Sequence, residues 1–143
     1  MTSRRGAVLA VVLWPAVVTA VALAWTFSFV PELPETVVTH WGTGGVADGF
    51  TSREAAPWYA LVGLVMGWGM GALILALARH DVVQLRIGVG VAAGTATFVS
   101  ATMASTLWIQ RGATTPADIS GVSMAITVIL VVALVLGFVT ART

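Results

Sequence analysis

The chain has 143 residues, 58% of them hydrophobic and only 9% charged, with a net charge of +1. Soluble domains carry about 25% charged residues, and thirteen ionisable Arg, Asp and Glu side chains are too few to cover a globule of this length. A water-soluble fold, a disordered chain and a nucleic-acid-binding surface are all excluded, the last because the basic surplus is a single charge.

Two compositional details follow. The chain has no Cys, so disulfides, thiolate metal sites and cysteine nucleophiles are ruled out. All seven basic residues are Arg, and with the abundance of Ala, Val and Gly this suggests a GC-rich bacterial genome.

Four charge-free stretches follow one another: Gly6 to Val30, Ala55 to Ala78, Ile87 to Gln110 and Ile119 to Ala141, of 25, 24, 24 and 23 residues. A bilayer core of ~30 Å needs about 20 helical residues, so each stretch can cross once. Backbone polar groups in lipid must be satisfied internally, and strand alternation is absent, so each is expected to be an α-helix. The expected fold is an all-α integral membrane protein: one domain over 1–143, a four-transmembrane-helix bundle with helices at about 6–30, 57–79, 84–110 and 116–141. A loop over 31–56 joins the first two.

Within the first span, Pro15 frees the carbonyl of Val11 and predicts a kink. Met1–Arg5 and Ala22-Leu23-Ala24 have the look of a signal peptide, but the apolar run is longer than such peptides use and Trp25 would follow the cut. An uncleaved first helix is expected. Arg4, Arg5, Arg79, Arg86 and Arg142 fall on one side of four spans and Arg53 and Arg111 on the other. The positive-inside rule then places both termini in the cytoplasm and the 31–56 loop outside a bacterial plasma membrane. Trp25, Trp58, Tyr59 and Trp108 lie near the outer boundary as an aromatic belt.

The loop carries the most information. Pro31 and Pro34 stiffen its start, Val37 to Trp41 is β-prone, Gly42 to Gly45 is a turn cluster, and Val46 to Phe50 returns as a second strand. A small β-hairpin is expected, with His40 opposite Ala47 or Asp48 according to the turn length. Thr51-Ser52-Arg53-Glu54 has capping-box spacing, but Pro57 favours a short interfacial turn that ends where the second span begins.

Leu33-Pro34-Glu35, Thr39-His40-Trp41 and Gly45-Val46-Ala47-Asp48-Gly49-Phe50 together resemble the signature of a bacterial membrane domain of unknown function. That domain also forms the N-terminal part of SdpI-like immunity proteins, which protect cells from a secreted toxic peptide. Pro34, His40, Trp41, Gly45, Asp48, Gly49 and Phe50 match the pattern, whereas Val38, Gly42 and Ala47 stand where the family usually has Pro, Asn and Pro. The resemblance implies a motif loop after the first helix, less rigid here than in typical members. SdpI-like proteins carry further helices after this domain, so the resemblance reaches the domain and not the immunity function. For His40 three roles stay open: a structural partner of Asp48, a contact for a ligand or peptide, and a metal ligand with Asp48 and Glu35, though this donor set is weak for a metal.

Gly63, Gly67 and Gly71 recur every four residues on the second span, and Gly90 and Gly94 do so on the third. Small-residue stripes let helices approach closely, so these two antiparallel neighbours are expected to meet along them. The same stripes would serve a homo-oligomer or a partner subunit. On the third span Thr95, Thr97, Ser100, Thr102, Ser105 and Thr106 either line a polar cavity or bond to carbonyls one turn back. On the fourth, Thr115-Pro116-Ala117-Asp118 has the form of a helix N-terminus. His80, in the turn before the third span, carries no expected role.

No ionisable residue lies deep in any span, and no nucleophile–base–acid set or phosphate loop can be named. No enzymatic activity and no cofactor are expected. Two functions remain: an immunity-like or signalling-like membrane protein whose outer loop recognises an extracellular peptide or protein, and an accessory subunit packed in a larger membrane complex.

Overall fold

The computed structural model describes residues 4–43, 46–77, 81–115, 119 and 122–142. The described chain is mostly helical. Helix α1 covers Arg4–Ser28, α2 Leu61–Leu77, α3 Val82–Trp108 and α4 Val122–Arg142. Between α1 and α2 lies an antiparallel hairpin of β1 (Thr36–Trp41) and β2 (Ala47–Ser52), flanked by 3-10 turns at Val30–Glu32 and Ala56–Ala60. Among the described residues three stretches are long and apolar enough to cross a membrane, Arg5–Ser28, Ala56–Leu77 and Val82–Trp108, and α4 contains a shorter apolar stretch at Val128–Val139. This is a membrane protein.

The helices sort their residues by size. Leu9, Leu13, Val17 and Val21 recur every four residues along the outer face of α1, each more than half exposed. Small residues fill the inside, with Ala92, Ala96, Ala104 and Ser100 on α3 essentially buried. In water this arrangement would be inverted; in lipid, where apolar side chains gain nothing by hiding, close backbone packing holds the helices together.

The glycines of α2 are used inside the chain. A Cβ on Gly67 would lie 2.8 Å from the Ala96 Cβ and 3.0 Å from the Pro15 ring. Gly63 faces Ser100, and Gly71 faces Val11 and Ala92. The stripe thus packs on α3 through Ala92, Ala96 and Ser100, and on α1 through Val11 and Pro15. Gly90 and Gly94 do not meet it. They face α4, where a Cβ on Gly137 would lie 2.8 Å from the Gly90 carbonyl oxygen and one on Gly94 3.3 Å from that of Ala133. The expected pairing of the two stripes is therefore corrected. Alanine is small enough to seat a glycine partner, which left the Gly90–Gly94 face free for α4.

Hydroxyls stitch the interior. Trp14 Nε1 donates to Thr97 Oγ1 (3.1 Å), and Thr97 donates to the Ala93 carbonyl (2.8 Å). Ser100 Oγ donates to the Ala60 carbonyl and is 3.1 Å from Thr19 Oγ1. Thr97 and Ser100 are thus packing groups bonded to neighbours. Thr95 instead lies on the groove between α3 and α4. Helix α1 runs unbroken through Pro15, whose ring is buried, and Trp68 Nε1 reaches across from α2 to the Val12 carbonyl at 3.0 Å.

Helix ends depart from expectation by a few residues. Asp81 caps α3 by accepting from Val83 N (2.8 Å) and Gln84 N (3.2 Å), so the helix starts at Val82. The second span enters through the 3-10 turn holding buried Pro57, and α2 proper begins at Leu61. The expected N-terminus of the fourth helix at Pro116 to Asp118, like His80 and Gly45, lies outside the described residues.

Candidate functional site: a hairpin clamped to the bundle

Strand β1 buries two consecutive residues, Val37 and Val38, instead of alternating. Val37 enters an apolar cluster with Phe29, Leu33, Ala56 and Leu107, which seats the hairpin over the adjoining ends of α1 and α3. Val38 is held differently. Gln110, just past the end of α3 and fully buried, presents its side-chain amide to the strand as a second strand would. Val38 N donates to Gln110 Oε1 (2.8 Å), and Gln110 Nε2 donates to the Val38 carbonyl (2.8 Å) and to that of Thr106 (2.9 Å). Each such bond contributes on the order of 1 kcal/mol net, but an orphaned buried backbone group costs about 1–3 kcal/mol.

A second tie runs beside it. Arg111 Nε donates to Glu32 Oε2 at 2.7 Å, a terminal guanidinium nitrogen bonds the same oxygen, and the Gly112 N–H donates to the Glu32 carbonyl at 3.0 Å. The guanidinium lies 3.9 Å from the centre of the Trp108 ring and 5.6 Å from that of Phe29. Trp25 stacks on Trp108 with centroids 5.3 Å apart, and Phe27 meets Trp58 edge-on. The aromatic residues at this end thus knit the helix termini together.

Toward its turn the hairpin is exposed. His40 and Asp48 join through His40 Nδ1, which donates to Asp48 Oδ1 at 2.5 Å, with the side chains 70% and 52% exposed. The carboxylate can only accept, so Nδ1 carries the proton and Nε2 faces away from the pair. The strand register is not one of the expected ones. Val38 pairs with Phe50 and Trp41 with Ala47, while an irregularity between them sets His40 opposite Gly49. Glycine is needed there, since a Cβ on Gly49 would come within 2.8 Å of the His40 Cβ. At Gly42, whose N–H donates to the Val46 carbonyl at 2.8 Å, any Cβ would press on the Asp48 carboxylate.

Of the motif residues, Phe50 is 51% exposed, Pro34 and Trp41 are half-buried, and Gly45 lies outside the described residues. Among the described residues no third His, Asp or Glu joins the pair as a metal site would require. Beyond the hairpin, Ser52 Oγ accepts from Ala55 N at 3.3 Å and closes the turn toward Pro57. Bonds from its own backbone N–H, then from Arg53 and Ser52, hold the Glu54 carboxyl below its ordinary value. Gln110, Glu32 and Arg111 were not legible as site residues. The one available signal was an amide followed by Arg where an apolar helix ends.

A family model described as Domain of unknown function (DUF1648) matches residues 17–66, which span the second half of α1, the hairpin and the start of α2. No curated protein and no solved structure matches the chain.

Proposed function

We propose that this is a four-span protein of the bacterial plasma membrane whose extracytoplasmic hairpin recognises an extracellular peptide or protein, in an immunity-like or signalling-like role. Helix α4, 21 residues long and apolar, is the fourth span, and both termini are cytoplasmic by the Arg distribution. One observation carries the reading. The hairpin is anchored by Gln110 and an apolar cluster, yet it presents His40, Asp48 and Phe50 to solvent. A strand pair needed only to connect two helices has no use for a buried clamp under an exposed polar and aromatic surface. An accessory-subunit role has less support, because Gly63, Gly67, Gly71, Gly90 and Gly94 all face helices of the same chain.

The test is affinity purification in mild detergent from the native host. His40→Ala, Asp48→Ala and Phe50→Ala should each deplete one extracellular peptide or protein from the eluate while the bundle stays monodisperse. An eluate unchanged by all three variants rejects the recognition role.

A further inference from the structure

We infer that the groove between α3 and α4 is a binding site for an anionic phospholipid, with one acyl chain in the groove and the phosphate on Arg86. The inference rests on the four-span reading above. The close approach of Gly94 to Gly137 leaves a cleft of about 410 Å³, open along one side and walled by Val91, Phe98, Leu134 and Phe138. Its lining is almost wholly apolar. On α3 it runs from Ile87 to Phe98, a rise of about 16 Å at 1.5 Å per residue. That is about half the ~30 Å hydrocarbon thickness, the depth of one leaflet.

The polar end of the groove supplies the second observation. Arg86 immediately precedes Ile87 and lies one helical turn from Gly90, both groove residues. Its Nε is buried and makes no hydrogen bond. Asp81, five residues earlier in the chain, is engaged through Oδ1 by the Val83 and Gln84 amides. An Arg whose Nε lies buried without an acceptor, beside the end of the groove, fits a phosphate, which accepts from its planar donor fork. Arg142 ends α4 one turn beyond Phe138, and exposed Arg5 lies at the start of α1, so this end of the bundle is basic in sequence. Basic clefts between membrane helices on the cytoplasmic side are suited to anionic headgroups.

The experiment compares phosphatidylglycerol with phosphatidylcholine of identical acyl chains, each titrated into the delipidated protein in neutral detergent and read by native mass spectrometry. The expected result is a preference of roughly five-fold or more for phosphatidylglycerol, the size of one basic contact. Arg86→Gln should remove most of that preference while both lipids still bind. Val91→Trp, which fills the groove from an exposed position, should weaken both. Equal binding of the two lipids by the unaltered protein overturns the inference, as does a preference that survives Arg86→Gln. Impermeant labelling of Thr114→Cys and Thr143→Cys separates this failure from failure of the topology. Labelling from the same side would overturn the four-span reading and the lipid site together; labelling from opposite sides without a lipid preference would overturn the lipid site alone.

Discussion

At the scale of single residues, the hairpin shows that burial and chemistry have been divided between two side chains far apart in sequence: Gln110 holds and His40 presents. Gln110→Leu keeps an apolar side chain of similar bulk but leaves the Val38 N–H and C=O without partners. It should destabilise the docked hairpin by about 2–5 kcal/mol, read as faster hydrogen exchange at Val38 and its neighbours with the helices unchanged. Unaltered exchange at Val38 would show that the apolar cluster alone seats the strand. The His40–Asp48 pair is expected to matter far less for stability. Both side chains are more than half exposed, and exposed pairs contribute about 0.2–1 kcal/mol. His40→Ala and Asp48→Ala should each loosen the loop slightly, with the double variant little worse than either, as proteolysis of the loop would reveal. Strictly additive effects would mean that the two residues act independently, and recognition would then have to be assigned to each by itself.

At the scale of elements, the seams are asymmetric. Helix α3 is the central element, meeting α1 and α2 through alanine and hydroxyl positions and α4 through Gly90 and Gly94. Gly67→Leu drives a side chain into Ala96 and Pro15, whereas Ala76→Leu adds bulk to an exposed position on the same helix. The first should abolish folding or assembly and the second should be nearly silent, as size-exclusion profiles and thermal melts in detergent would report. Equal tolerance of both would place the α1–α2–α3 contact elsewhere. The glycine periods were readable as seams because only a missing side chain lets backbones touch. Which stripe met which helix was not readable, since Ala92 and Ala96 serve as well as glycine and carry no special mark in so alanine-rich a chain.

At the scale of the whole molecule, the Arg distribution predicts that hairpin and C-terminus lie on opposite sides of the membrane. In this Cys-free background, Thr43→Cys should react with an impermeant reagent in intact cells and Thr143→Cys only after permeabilisation. The reverse pattern would invert the orientation, and labelling of both would reduce the number of spans to three.

Some features of this protein follow from the sequence by itself because they are decided locally. The length of a charge-free run sets whether a helix can cross lipid, and the prolines, glycines and β-branched residues between Pro31 and Phe50 impose a turn between two extended segments. The His40–Asp48 partnership was one of the open readings for the same reason, since residues this close across a turn have few other places to go. Only the tertiary structure decided the rest. The register slip that puts His40 opposite Gly49, the burial of both Val37 and Val38, and the Gln110 clamp all depend on where α3 ends relative to a strand that is 72 positions away in sequence. A side-chain amide gives no periodic signal of its own. It becomes a strand partner only when the packing of small residues on α1 and α3 has brought an unpaired backbone edge within its reach.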